Sequence, residues 1–221
     1  MDQKFLYHAL ASGMSGQITL PFQHLIEVQA PSALPPTGGY SASRAEGFRY
    51  EDILSFSSAS AVTTGSESSG SFNTLATATV EGLNILNVVK ADRVVARLAS
   101  KYSKDSRNYS ATVAGSHFEN LRIAGCPVEV EIDPKWLKFT RRPEKSEFGA
   151  FAAPVDLEDC RGLERLEDGA LYVPHFGRIY LAELLVTACY QSITMFRIVL
   201  GCAVEGKVTG PHASTNGEGM P

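Results

Sequence analysis

The sequence predicts an all-β fold, specifically an antiparallel β-sandwich or jelly-roll-like domain with at most one or two short helices. Val, Ile, Thr and aromatic residues recur in short runs that Gly, Pro, Ser and Asn interrupt, which is typical of strands joined by turns. Few windows show the spacing of an amphipathic helix. The 221 residues suffice to bury roughly 70% of the unfolded surface, so the core needs neither metal nor disulfide.

The strands follow from these runs in chain order. They are predicted at residues 5–10, 15–20, 24–29, 47–56, 75–80, 84–98, 109–113, 118–123, 128–132, 178–190 and 193–208. The last two form the clearest hairpin, with Gln191 and Ser192 as its turn. The apolar phase of the last strand shifts around Phe196 and Arg197, which indicates a bulge. Only residues 157–166 show weak helical spacing, and Gly162 interrupts it.

The predicted organisation is a single β-rich domain over residues 1–209. Three segments rich in Pro, Gly, Ser or mixed charge are predicted loops, at residues 30–43, 57–71 and 135–154. The polar tail, residues 210–221, is predicted to be disordered.

Charge and hydropathy limit the partners and the compartment. Twenty Lys and Arg oppose 24 Asp and Glu, giving a net charge of -4, so no basic field indicates a nucleic-acid partner. The most apolar stretch, residues 179–204, contains Glu183, Gln191 and Arg197, which favours buried strands over a transmembrane segment. The N-terminus lacks the features of a signal peptide, so the default expectation is a cytoplasmic chain.

No motif predicts a catalytic, cofactor-binding or metal-ligating residue. The histidines lack metal-site spacing, and no nucleophile elbow or phosphate-binding glycine loop is present. Glu129, Glu131 and Asp133 alternate with apolar residues, as expected on the solvated face of a strand. The cysteines form no CxxC pair and are interpreted as buried free thiols, with a Cys189–Cys202 bridge as the alternative in an oxidising compartment.

Four segments resemble the bacterial choice-of-anchor type P domains. They are GRIYLAELLV from Gly177, SITMFRIVLG from Ser192, ATVEGLNIL from Ala78 and FENLRIAGCPV from Phe118, and the resemblance spans residues 75–208. It implies a β-rich, non-enzymatic domain at the cell surface or outside the cell, held by a C-terminal anchor. The family pattern carries no site residues to this chain.

The leading hypothesis is a non-enzymatic structural or interaction domain that self-associates or is surface-associated, with a second copy or another protein as its partner. The apolar run at residues 5–10 is the expected interface, represented by Phe5 and Tyr7. One alternative is a ligand-binding sandwich that recognises a glycan or a protein through Trp136, Phe139 and Tyr40. Another is a hydrolase with an unrecognised site, including a Cys and His pair assembled by the fold.

Overall fold

The computed structural model describes residues 5–104, 109–132, 147–150, 152–155, 160, 162–187 and 190–216. Within these residues the chain forms strands and turns and no helix, so the all-β prediction is confirmed. Two large antiparallel sheets face each other, as expected of a β-sandwich.

The strands are numbered in chain order. They are β1 (Ala9–Ser12), β2 (Met14–Leu20), β3 (His24–Gln29), β4 (Ser32–Ala33), β5 (Gly39–Tyr50), β6 (Leu54–Ser68), β7 (Ser71–Ile85), β8 (Val89–Ser103), β9 (Tyr109–Thr112), β10 (His117–Glu119), β11 (Arg122–Ile123), β12 (Cys126–Pro127), β13 (Glu129–Ile132), β14 (Glu147–Ala150), β15 (Ala152–Val155), β16 (Glu164–Arg165), β17 (Leu171–Val173), β18 (Gly177–Val186), β19 (Tyr190–Leu200), β20 (Glu205–Thr209) and β21 (His212–Asn216).

The first sheet has the order β16-β17-β18-β19-β20-β2-β3. Three further strands belong to this sheet. The strand β21 pairs with β19 beyond the end of β20, β1 pairs with β21, and β4 pairs with the other edge of β1. The strand β14 pairs with β18, and β13 and β15 form a separate two-stranded ribbon.

The second sheet is a meander of long strands, β5-β6-β7-β8. The segments β9, β10 and β11 then pair one after another with the far edge of β8. The core lies where β1, β19 and β21 pack over β6, β7 and β8. Its largest fully buried side chains include Met14, Ile18, Leu54, Ile85, Leu98, Ile123, Ile179, Ile193 and Phe196.

A crease crosses the second sheet from β5 to the chain after β10. Gly47, Ser57, Gly82, Asp92 and Asn120 occupy one row across the strands, and pairing is interrupted there and resumes in the same register. Three of the five have positive φ, 65° at Gly47, 63° at Gly82 and 52° at Asn120. Glycine and asparagine are residue types that tolerate this left-handed backbone conformation. Adjacent residues at the crease both face outward, so the sheet bends.

The first sheet has a matching crease that faces the core. Met195 and the following Phe196 are both buried, so the phase shift predicted near Phe196 is confirmed, one residue earlier than expected. Ala182, which lies opposite Met195 on β18, has positive φ, as does Ala30 after β3. The two sheets come close at Gly13, where an added Cβ would be 2.8 Å from the Cβ of Ala59.

Two of the predicted loops are largely strands. Residues 57–71 belong mostly to β6 and β7, which are joined by a turn at Ser69 and Gly70. Their inward positions hold small side chains rather than bulky apolar ones, which hides the alternation. In the segment 30–43, β4 and the start of β5 leave only residues 34–38 as the connection. The segment 135–154 includes β14 and part of β15, and the rest of it lies mostly outside the described residues.

The predicted tail and turn are also corrected. Residues 212–216 form β21, with Ala213, Ser214 and Thr215 fully buried between β1 and β19. Residues 217–221 lie outside the described part. The β18 and β19 hairpin is confirmed, but Gln191 and Ser192 belong to β19, since Gln191 pairs with Val186 and Ser192 with Leu185. The described part of residues 157–166 is non-helical and contains β16.

Candidate functional site

One side of the sandwich is formed by two neighbouring edge strands, β3 of the first sheet and β5 of the second, and is called the open side. The ring of His24, at the start of β3, stacks on Tyr50, at the end of β5, with centroids 4.1 Å apart. Within the described residues, no strand pairs with the outer edge of either one. Their outward backbone N–H and C=O groups are therefore open to another strand.

The strand β5 is long and polar. None of its 12 residues is buried, although β6 pairs with it along nearly its whole length. Arg44 and Glu46 lie on the outer face of the sheet and form an ion pair, with Nε and Oε1 2.7 Å apart. Further along, Arg49 is paired with Asp52. Charges of this kind deter indiscriminate edge pairing but permit pairing with a complementary strand.

The β2 and β3 hairpin adds apolar surface to the open side. Phe22 is 74% exposed, Leu25 68% and Val28 50%, and Leu20 is exposed beside them. Four large apolar side chains exposed on one short hairpin form a patch of the kind that marks a protein contact. The outward groove beside it, lined by Gln17, Leu25, Glu27, Lys207 and others, has a volume of about 530 Å³.

The predicted interface residues Phe5 and Tyr7 lie next to the core instead. Phe5 stacks on Phe72 with ring centroids 4.0 Å apart. Tyr7 is buried, and its backbone N–H donates to the carbonyl oxygen of Pro36 at 2.9 Å. Burial raises the pKa of the Tyr7 hydroxyl, and the charge of Glu67 adds to the effect. Both rings therefore contribute packing within the chain, and neither lies on the open side.

The predicted ligand anchors Trp136 and Phe139 lie outside the described residues. Tyr40, named with them, is on β5 and 67% exposed. The rest of the open side is not predicted from the sequence. A usable signal is present, because residues 39–50 hold charged and small residues in a strand-length segment, and residues 20–28 place five large apolar residues next to polar ones.

A second surface feature lies on the outer face of the second sheet. A groove of about 420 Å³ crosses β6 to β9, and its lining includes Thr64, Asn73, Leu75, Arg97 and Lys101. Two cations and several hydroxyls line it, and none of the described residues that line it is a carboxylate. Such a surface is suited to an anionic or hydroxyl-rich ligand.

Among the described residues, the most buried ion pair belongs to the first sheet. Arg197 donates from Nε and Nη2 to the two carboxylate oxygens of Glu183, at 2.8 and 2.6 Å, and Glu183 is buried. The hydrogen bond to Glu183 is the main reason that the pKa of Arg197 is raised. The guanidinium also lies 3.8 Å from the centre of the Tyr180 ring. Because both charges are satisfied, the pair stabilises the sheet and leaves no free acid or base.

A thiol and an imidazole do come together at the end of the first sheet. The Cys202 Sγ lies 4.0 Å from His175 Nδ1, and both groups are exposed. Cys202 is a free thiol, so its predicted burial was wrong, and Cys189 lies outside the described residues. Glu129 and Glu131 are exposed, as expected. In the part of the chain that the structure describes, no cluster of three His, Cys, Asp or Glu residues could hold a metal ion.

Comparison with known proteins gives a family without a known activity. No curated protein and no solved structure matches the chain. The resemblance to choice-of-anchor type P domains stays a prediction, since no finding concerns that family. None of the described residues forms a helix long and apolar enough to cross a membrane. The profile of one family, "Domain of unknown function (DUF8256)", matches residues 5–156, which include the open side and the second sheet, and the chain belongs to that family.

Proposed function

We propose that the protein is a non-enzymatic interaction domain that self-associates through the open side of its sandwich. The observation that carries the proposal is the pair of unpaired edges, β3 and β5, next to the exposed apolar residues of the β2 and β3 hairpin. An edge strand supplies directional hydrogen bonds, and an adjacent apolar patch supplies area that water disfavours. Together they form a surface suited to another β-strand.

The other long edge of the second sheet, formed by β8, supports the choice of the open side as the interface. There β9, β10 and β11 cover β8 within the chain, so that edge has no long row of free backbone groups. The expected interface at residues 5–10 is a weaker choice because Tyr7 is buried and β1 pairs on both sides. The proposal therefore keeps self-association and moves it from Phe5 and Tyr7 to the open side.

The test is the mass of the purified chain over a range of concentrations, by light scattering on a sizing column. A self-associating chain gives masses above the monomer value of 23.8 kDa. Leu25→Asp should shift the distribution to the monomer, because it places a charge in the exposed patch. The matched control is Val199→Asp, an exposed position on the outer face of the first sheet whose neighbours on the adjacent strands are Arg178 and Lys207. A monomeric wild type, or association that Leu25→Asp leaves unchanged, would overturn the proposal.

The second candidate function is binding of an anionic glycan in the groove of the second sheet. Arg97 and Lys101 line that groove, and no carboxylate is among its described lining residues, which favours sulfate or carboxylate groups on the ligand. Calorimetric titration with heparin fragments should show binding that Arg97→Ala abolishes, whereas neutral dextran fragments should give no heat. Equal responses to both polymers, or none to either, would reject this function.

A further inference from the structure

We infer that β5 pairs with β5 of a second copy, antiparallel and centred on Ala45, so that Arg44 of each copy faces Glu46 of the other. This inference rests on the proposed function and specifies its contact. It follows from three properties of β5: a free edge, a face defined by its pairing with β6, and a charge pattern that is complementary to itself.

The free edge is regular up to the crease at Gly47. The eight residues 39–46, at roughly 3.4 Å each, make a straight edge of about 27 Å, enough for a short ladder. Two identical strands related by a two-fold axis pair antiparallel, and each residue then faces one whose position is set by the centre of the pair. The register is therefore fixed by a single choice, the residue on the axis.

The two faces of β5 limit this choice. Residues opposite each other in an antiparallel pair lie on the same face, so outward residues must meet outward residues. Arg44 and Glu46 are outward, with 65% and 67% of their side chains exposed, whereas Ala45 between them packs against the core. A centre at Ala45 satisfies this condition for all three positions. The crease at Gly47 reverses the faces of the strand, so this register continues only over residues 43–47, where Gly47 has no side chain to conflict with Ser43.

The charges of β5 then favour this register over the two nearest registers on the same face. With Ala45 on the axis, each Arg44 faces a Glu46. A shift of two residues one way would place Arg44 opposite Arg44 of the second copy, and a shift the other way would place Glu46 opposite Glu46. Like charges directly opposite each other destabilise a sheet, and unlike charges stabilise it.

Within one chain, Arg44 and Glu46 already form an ion pair across two residues of the same strand. In the pair of strands each guanidinium gains a second carboxylate, and four charges alternate in sign around the axis. The small side chain of Ala45 allows the two backbones to approach at the centre. Gly47, the crease residue, falls opposite Ser43, so no bulky side chain opposes the bend.

Charge reversal tests this register. Arg44→Glu should place a carboxylate opposite Glu46 of the second copy, and Glu46→Arg should place a guanidinium opposite Arg44, so each variant alone should associate at least roughly tenfold more weakly than the wild type. A mixture of the two variants restores unlike pairs at both contacts and should form a heterodimer. The double variant R44E/E46R should also associate with itself, because its pairs are reversed in sign but remain opposite.

The matched control is Arg49→Glu, an equally exposed charge reversal on the same strand. Arg49 lies beyond the crease, where this register does not continue, so the variant should leave association unchanged. Thermal unfolding of each variant checks that it folds, since the exposed ion pair contributes little to stability. If the wild type associates and Leu25→Asp disrupts it, but the reversals have no effect or the mixture fails to associate, this register is overturned and the proposed function stands. If the wild type is a monomer at every concentration, the proposed function and this inference both fail.

Discussion

The two long edges of the second sheet differ in how the chain treats them. The edge of β8 is covered by β9, β10 and β11, and its inward residues Val94, Ala96 and Leu98 are completely buried. The edge of β5 has no described partner and none of its residues is buried. The state of an edge thus depends on the segment that follows the strand as much as on the strand itself. An edge that its own chain leaves uncovered is the natural place to look for a partner.

The largest expected effect is the loss of stability caused by a substitution at the covered edge of β8. Ile123 of β11 is completely buried, so Ile123→Ala should lower the free energy of unfolding by about 2 to 5 kcal/mol through lost contacts and a residual cavity. Tyr40→Ala on the open side removes a side chain that is 67% exposed and should cost at most about 0.5 kcal/mol in the monomer. Urea unfolding at a concentration where the chain is monomeric measures both. Equal losses would mean that the open side is packed in solution.

The sequence predicted the fold class and the parts of the core that carry bulky residues. The β18 and β19 hairpin and the phase shift near Phe196 followed from apolar side chains whose alternation is visible. It missed β6 and the start of β7 because their inward residues, such as Ala59, Ala61 and Gly65, are small. The structure supplies the reason at Gly65. A Cβ there would lie 2.7 Å from the Leu34 and Tyr7 side chains, so the segments before β1 and after β4 pack on β6 only where it has no side chain. From composition alone, such a strand is predicted to be a loop.

The candidate site was harder to predict for a different reason. Whether β5 is an edge depends on pairings between residues far apart in the chain, and a single sequence does not reveal them. The same holds for β21, whose polar residues Ser214 and Thr215 are fully buried only because β1 and β19 leave a gap that this segment fills. The hydrophobicity of Phe5 and Tyr7 predicts an interface from the sequence alone, but in this fold both rings pack within the chain.

An intermediate loss of stability is expected when alanine replaces a glycine of the crease, and it should differ between Gly82 in the covered part of the sheet and Gly47 on the open side. Both have positive φ, but a Cβ at Gly82 would lie 2.6 Å from Ser57 Oγ, whereas a Cβ at Gly47 would meet nothing within 4 Å. Gly47→Ala should cost about 1 kcal/mol for its backbone conformation alone. Gly82→Ala should cost about 2 to 3 kcal/mol, because steric strain is added.

Urea unfolding of the two variants gives this difference directly. The Ser57 hydroxyl also donates to the carbonyl oxygen of Glu81 at 2.8 Å, so its displacement in Gly82→Ala breaks a hydrogen bond at the crease. Equal losses of unfolding free energy for the two variants would contradict this prediction. They would show that Ser57 moves aside without cost and that the sheet accommodates a Cβ equally well at both positions.

The smallest expected effect concerns His212, on a strand that the sequence assigned to a disordered tail and that the structure places inside the first sheet. Burial lowers the pKa of His212 below its ordinary value of 6.5, and its Nδ1 lies 3.0 Å from Thr194 Oγ1. The unfolded chain therefore binds a proton more readily than the folded one. The free energy of unfolding should fall as the pH drops from about 6.5 toward the lowered pKa, by at most about 1.4 kcal/mol per pH unit, and level off below it. His212→Asn should flatten this part of the profile, measured by urea unfolding between pH 5 and 7, roughly the range in which histidine titrates. If residues 212–216 were disordered, the pH dependence of unfolding would be the same with and without the imidazole. An unchanged profile would therefore show that β21 is not part of the sheet in solution, and β1 would then be a second open edge in addition to β5.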